Sequence, residues 1–512
     1  MNVILGSKRP RLSKSKVVLG LQCPKALYLS VHQANLADDI SDSQQMIFDQ
    51  GHEVGILAQK YYPGGVLIDA PYKDSPLALM QTQDAIAAGT NTIYEATFIH
   101  GDVLVKIDIL NRKSPKHAWE IVEVKSSTQV KDVHIPDAAV QAWVVRGAGF
   151  KLKSVSIMTI NNQCTYPDLS DLFNVTDVTK EVDAYRSDIP PIVAKFKKLL
   201  GSTKSPKVDI GPHCDDPYSC GFKTHCWSAC KISDVSIFDI PRLSTDAKWE
   251  SYRAGKIDLK SLDPDDFNAT QSRMIECTVA KKRFVDSNAI AKALKAWKHP
   301  LSFLDFETIG YAIPRYNGQR PYQQLPFQFS CHIQKTSRGK LGHCEYLHST
   351  DTDPREDISR TIVELVPESG SVVAYSMGFE SGVLKTLADL FPKYRNGLLN
   401  IVDRLVDPLP IFRSSVYDPG FRGSFSIKQV APAILGKSAS YEEMDIGGGT
   451  EAQSAYMEMI NPSTEKKRRE ELRRGLIEYC TKDTKGMVDL VSWLFEAAQG
   501  VKLKSGSKKN GK

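Results

Sequence analysis

The chain has 512 residues, with 66 Lys and Arg against 60 Asp and Glu for a formal net charge of +6, and it is 41% hydrophobic and 25% charged. This composition excludes a disordered or fibrous protein, and at roughly 100 to 200 residues per domain the length implies about three folding units. No stretch reaches the roughly 18 consecutive apolar residues of a membrane-spanning helix, so a soluble, cytoplasmic protein with no membrane partner is expected. Ten cysteines are too sparse for a disulfide scaffold, yet four of them fall between Cys214 and Cys230, the clustering that a metal site produces. Both ends are basic, through Lys8, Arg9, Arg11, Lys14 and Lys16 at one and Lys502, Lys504, Lys508 and Lys509 at the other. Such ends suit a polyanionic partner, or are simply solvated.

Taken in chain order, residues 1–235 open with a helical stretch at 12–29 that breaks and restarts at Pro24. A second helix, capped near Ser41 or Ser43, carries His52 and ends by Pro63. Strand-like runs follow at 92–99, 103–110 and 119–124, then a helix around 137–146 and another strand at 154–160. Residues 236–295 read as a polar helical linker with a solvated acidic turn at Asp263, Asp265 and Asp266. The third segment, 296–500, begins with an apolar strand at 301–305 and continues with strand-like runs at 327–333 and 345–348. A helix at 354–366, a buried strand at 371–375 and several helices complete it. The last helix sets Tyr479 and Asp483 on one side by their i, i+4 spacing. A Lys, Gly and Ser tail at 501–512 is expected to be disordered. The expected fold class is α/β.

Asp108 closes one strand pattern, and Glu123 and Lys125 share one face of the next. Carboxylates at neighbouring strand ends hold a hard cation such as Mg²⁺ or Mn²⁺, and a lysine beside them orients the attacking water and stabilises developing charge. Phosphodiester hydrolysis is the chemistry this indicates, and a surface ion pair is the alternative. The segment resembles the PD-(D/E)XK nucleases of the RecB type, in particular the CRISPR-associated RecB-like exonucleases that carry an iron–sulfur cluster. The family's order is met by Cys23 in LQCPKALYL, His52 in GHEVG, Asp108 in KIDIL, Glu123 and Lys125 in IVEVKSS, and Gln141 in DAAVQAW. Val145 stands where an aromatic is usual after that glutamine. The resemblance implies a restriction-endonuclease-like fold, with His52, Asp108 and Glu123 as metal ligands and Lys125 and Gln141 in the catalytic machinery.

Cys214, Cys220, Cys226 and Cys230 lie within HCDDPYSCGFKTHCWSAC. Their thiolates suit zinc or an iron–sulfur cluster, and a four-cysteine zinc knuckle is one reading. The resemblance instead implies a 4Fe–4S cluster held by Cys23, Cys214, Cys220 and Cys226, with Cys230 spare.

A second constellation begins at FLDFET, where Asp305 and Glu307 share one face of a buried strand, a costly placement without a metal. The pattern resembles the first motif of the DnaQ-like exonucleases of the DEDDy subgroup. VVAYSMGFESGVL resembles the second, with Glu380 where an Asp is usual, and YCTKD the third, with Tyr479 and Asp483. The resemblance implies a ribonuclease H-like 3′–5′ exonuclease with Asp305, Glu307, Glu380 and Asp483 on two cations and Tyr479 positioning water. Tyr479 and Asp483 taken alone read as an exposed helix face. Over nearly its entire length outside the 236–295 linker, the chain resembles uncharacterised bacterial proteins that join an iron–sulfur RecB-like nuclease to a DnaQ-like domain. In IPRYNGQRPYQQLPFQFS, Arg315, Arg320, Tyr316 and Tyr322 are candidates for phosphate and base contacts, or for loop anchoring. The expectation is a metal-dependent nuclease acting on DNA, single-stranded or at ends, in repair, defence or spacer acquisition. The alternatives are an RNA-processing exonuclease and a nucleic-acid-binding scaffold with inactive nuclease folds.

Overall fold

The computed structural model describes residues 12–500 apart from Tyr72 and Glu443. Of the basic ends, Lys8, Arg9, Arg11, Lys502, Lys504, Lys508 and Lys509 lie outside the described residues, as does the rest of the 501–512 tail. The chain is mixed α/β and divides into two compact units. One holds the residues up to Lys231 together with Tyr311–Tyr322, and the other holds Ile232–Gly310 with the residues from Gln323 on.

The first unit opens with β1 (Leu12–Ser13), α1 (Lys14–Gln22) and α2 (Pro24–His32). Cys23 separates the two helices in extended conformation, because Pro24 is accepted only in the first turn of a new helix and disfavours helical geometry just before it. α3 (Asp42–Gln59) starts at a capping box in which Ser41 and Gln44 satisfy each other's backbone N–H. After β2 (Val66–Leu67) and α4 (Ser75–Ala87) come β3 (Thr92–His100), β4 (Val103–Asn111), β5 (Trp119–Lys125), α5 (His134–Gly147), β6 (Leu152–Ile160) and β7 (Phe173–Asp177). The sheet order is β2-β3-β4-β5-β6-β7, with β1 parallel to β4. β5 and β6 are parallel, so α5 is their crossover. Its buried Ala138, Ala139 and Ala142 lie in the same core as Ile107, Ile121 and Ile157 of the sheet.

The second unit contains β8 (Phe284–Val285), β9 (Leu301–Gly310), β10 (Gln324–Gln334), β11 (Leu341–Leu347), β12 (Ser371–Val373), β13 (Leu405–Val406) and β14 (Val416–Tyr417). Five of them form a sheet ordered β11-β10-β9-β12-β13, in which β9, β12 and β13 run parallel and β10 and β11 are added antiparallel. β9 is central and buried almost along its whole length. The 33-residue helix Lys466–Ala498 packs against the same sheet, with Met487, Val488 and Val491 in one cluster with Leu301, Phe303 and Val373.

Two expected boundaries differ from the structure. The segment 236–295 is not a linker: Ile237, Ile240, Leu259, Met274 and Ile290 are buried in one core with Phe412, Leu490 and Leu494 of the second unit. Short, polar-flanked helices hide this from periodicity, since each supplies only one to three apolar residues. The third segment is not continuous either, because Tyr311–Tyr322, the connection between β9 and β10, belongs to the first unit. There Ala312, Ile313 and Tyr322 join Val54, Ile160 and Leu172, and Tyr166 N–H donates to the Gln319 carbonyl at 3.0 Å. No helix among the described residues is long and apolar enough to cross a membrane.

Candidate active sites and a cysteine cradle

In the first unit β4 brings Asp108, β5 brings Glu123 and Lys125, and α5 brings Gln141 to one place. Asp108 Oδ2 accepts the Val124 backbone N–H at 2.7 Å, which ties the ends of the two strands together. Lys125 Nζ lies 2.6 Å from Glu123 Oε1 and 2.6 Å from Asp137 Oδ2, while Gln141 donates to Glu123 Oε2. Asp137 and Gln141 are four residues apart on α5 and so face the same way. A second ammonium, from Lys14 at the start of α1, reaches Glu123 Oε1 at 2.7 Å.

These surroundings push neighbouring carboxyls in opposite directions. Burial, reinforced by the Glu123 charge, raises Asp108 to about 8. Burial acts on Glu123 in the same sense, but Lys14 and Lys125 outweigh it and hold that carboxyl below the usual range. Paired carboxyls with separated proton affinities are the pattern of a catalytic or metal-binding centre. Glu95 is a further acidic group here. It sits on β3 at a positive φ of 57°, between the pairs Tyr94↔Ile109 and Ala96↔Ile107, and burial raises its carboxyl. His52 stands exposed on α3, within electrostatic reach of Glu95. It does not form a close three-ligand group with Asp108 and Glu123 among the described residues. Lys14, Asp137 and Glu95 escape the sequence reading. Only Asp137 has a local signal, its i, i+4 relation to Gln141.

Cys23, Cys214, Cys220 and Cys226 line one small cavity, and Cys230 is absent from its lining, its Sγ lying 3.4 Å from the Cys226 carbonyl. Cys23 and Cys220 are buried in one cluster with Ala26, Tyr28, Leu29 and Phe222. Burial raises the Cys214 and Cys220 thiols, and both feel Cys23 and Cys226. Among the described residues, no three cradle sulfurs lie within 4.8 Å of one another.

The second site lies on β9 and the long helix Lys466–Ala498. Asp305 and Glu307 project from one face of β9, and Tyr479, Cys480 and Asp483 come from consecutive turns of the helix. The ligand atoms of Asp305, Glu307 and Cys480 all lie within 4.8 Å of one another. A cavity of about 220 Å³ is lined by Asp305, Glu307, Lys428, Tyr479 and Asp483. Tyr441 donates to Asp483 Oδ1 at 2.5 Å, and Lys428 Nζ lies 4.9 Å from the Tyr479 ring centre. Glu380 occupies the first turn of the helix Gly378–Leu390, whose start is held by Asp407 accepting the N–H groups of Ser376 and Met377. Its Oε2 is buried and has no hydrogen-bond partner among the described residues.

Burial raises all four carboxyls: Asp305, where Asp483, Glu307 and Glu380 add to it; Glu307, to about 8, with Asp483 adding; Glu380, to about 7; and Asp483. Four acidic groups thus crowd a site in which Lys428 is the cation lining the cavity, an arrangement whose charge a pair of divalent cations would balance. Gly449 also borders the site, since a Cβ on it would stand at ordinary contact distance, 3.8 Å, from Glu307 Oε2. Tyr441, Lys428 and Cys480 are the residues that sequence reasoning missed. Cys480 directly follows Tyr479 but reads as packing, and Tyr441 and Lys428 carry no motif.

Arg315, Arg320 and Tyr322 each make a local contact within the first unit. The Tyr322 hydroxyl donates to the Ser126 carbonyl, one residue beyond Lys125. Arg320 Nη1 lies 3.3 Å from Gln163 Oε1, and the Arg315 guanidinium lies 4.4 Å from the Tyr311 ring centre.

Residues 302–426 match a family described as "Domain of unknown function (DUF2779)". The chain is also similar to the uncharacterized protein MG366 of Mycoplasma genitalium, at 26% identity over 244 residues, or 44% of this chain and 36% of that protein. The match thus spans little more than a third of that relative's length.

Proposed function

We propose that this protein is a divalent-cation-dependent nuclease with two hydrolytic centres. The first unit acts as a restriction-endonuclease-like domain stapled by a 4Fe–4S cluster, and the second as a ribonuclease H-like 3′–5′ exonuclease working on DNA ends. The observation that carries the reading is the second cavity, in which Asp305, Glu307, Asp483 and the neighbouring Glu380 concentrate acidic charge around Tyr479. Buried carboxyls without matching cations are costly to folding, and a hard cation is what makes such a cluster useful. Support for the first centre comes from the Asp108, Glu123, Lys125 and Gln141 arrangement, and support for a cluster from the four cysteines, one of them distant in sequence from the rest, that line one cavity.

Divalent cations, when bound, supply Lewis acidity to the attacking and leaving oxygens of the phosphodiester. The chain's own groups do the remaining work. In the second centre Tyr479 orients water against the scissile phosphorus, and Tyr441 fixes the rotamer of Asp483. In the first, Lys125, held between Glu123 and Asp137, orients the nucleophile and stabilises charge developing on the phosphoryl oxygens. Gln141 immobilises the second oxygen of Glu123.

End-labelled single- and double-stranded DNA and RNA, incubated with the full-length, anaerobically purified protein and Mg²⁺ or Mn²⁺, test the proposal. Cation-dependent shortening of DNA that stops with chelator is the expected result. Binding without hydrolysis of any substrate contradicts it.

A further inference from the structure

Glu123 is engaged on both oxygens by donors from three elements. Gln141 of α5 holds Oε2, while Lys125 of β5 and Lys14 of α1 converge on Oε1 at 2.6 Å and 2.7 Å. Two ammonium groups on one carboxylate oxygen leave no room there for a further cation, so a metal ion can take Oε1 only if one lysine withdraws. The two lysines are not held equally. Lys125 makes a second close contact, 2.6 Å to Asp137 Oδ2, whereas Lys14 is 3.5 Å from the same atom. Lys14 therefore has less to lose on leaving.

Lys14 also keeps some access to solvent. Its side chain keeps 22% of its exposure, and its four-carbon stem carries a flexible point charge. The helix that bears it is fixed at the far end: Gln22 Nε2 donates to the carbonyls of His213 and Tyr218 at 2.8 Å and 2.6 Å, and Cys23 follows in the cysteine cradle. The anchored far end of α1 favours movement of this side chain over movement of the helix.

We propose that Lys14 is a built-in counter-ion of the first centre. It holds Glu123 and Asp137 when no metal is bound and competes with the divalent cation for Glu123. This inference rests on the reading of the first centre as cation-dependent. It makes Lys14 a positioning residue that sets the cation concentration at which the centre fills.

The test is Mn²⁺ titration of the full-length protein followed by electron paramagnetic resonance, where first-centre Mn²⁺ is the portion that Glu123→Ala removes. Lys14→Met is expected to bind that Mn²⁺ at least about five-fold more tightly, the factor that ~1 kcal/mol of relieved ion pairing represents. Lys14→Arg, which keeps the charge, is expected to stay near the parent. Unchanged or weaker first-centre affinity in Lys14→Met, with a parental circular dichroism spectrum, overturns the inference. Lys14→Gln serves in its place if the methionine variant does not fold. Absence of Glu123-dependent Mn²⁺ from parent and variants alike overturns the cation-dependent reading itself, and this outcome is distinct from parental binding that Lys14→Met leaves unaltered.

Discussion

Asp108 and Glu123 occupy adjacent strands, yet one carboxyl is pushed up to about 8 and the other is held ionised by two ammonium groups. Lys125 is the hinge of this arrangement, because it neutralises Glu123 and also touches Asp137. Removing one preorganised electrostatic group typically costs 10² to 10³ in rate, about 2.7 to 4 kcal/mol. Lys125→Ala, tested with Asp305→Ala in place to silence the second centre, is therefore expected to lose cleavage by about that factor and to keep DNA binding; near-parental cleavage would reduce the constellation to an ion pair. The acidic groups also set a pH dependence. Asp108 and Glu307 at about 8 and Glu380 at about 7 hold protons in the folded protein that the unfolded chain releases near pH 4. The folded state thus binds more protons across that window, so this contribution to stability is present at low pH and is lost as pH rises toward about 8. Cation binding displaces the same protons. The stabilisation by Mn²⁺ should widen between about pH 5 and about pH 8, read as the difference in melting temperature with Mn²⁺ and with chelator, and a difference that narrows over this range contradicts the assignment.

At the scale of elements, β3 to β6 and β9 to β12 were readable because apolar runs such as those of β3, β4 and β9 fill their cores directly, whereas β1, β2, β7 and β13 were not. Glu123 and Lys125 on one face of β5, and Asp305 and Glu307 on one face of β9, followed from the two-residue period of a strand. Partners supplied from far away in the chain did not follow. Lys14 reaches Glu123 across 109 residues and Tyr441 reaches Asp483 across 42, and neither sits in a pattern that local spacing reveals. β2 is only two residues long and leaves no periodic trace. The segment 236–295 was misread for a related reason: its buried residues are scattered over short helices and turns, and their common core forms only with Phe412 and the end of the long helix. Ile290 is fully buried in that core. Ile290→Ala should destabilise the second unit by about 2 to 5 kcal/mol in denaturant unfolding. An effect within about 0.5 kcal/mol, usual for exposed positions, would return the segment to the status of a linker.

For the whole molecule, the proposal is that two units of different architecture each carry an acidic, cation-binding centre, so that either can be silenced while the other keeps working. The most direct measurement is 3′-end trimming by Glu123→Ala, which disables the first centre, compared with Glu123→Ala combined with Asp305→Ala. Single-stranded DNA carries a 5′ label and a free or blocked 3′ terminus, and Mg²⁺ or Mn²⁺ is supplied. The account predicts that Glu123→Ala alone shortens the strand stepwise from its free 3′ end, that the block stops this, and that adding Asp305→Ala abolishes it. If Glu123→Ala trims no 3′-ended DNA or RNA, or if its trimming survives Asp305→Ala, the second cavity is not a nuclease centre.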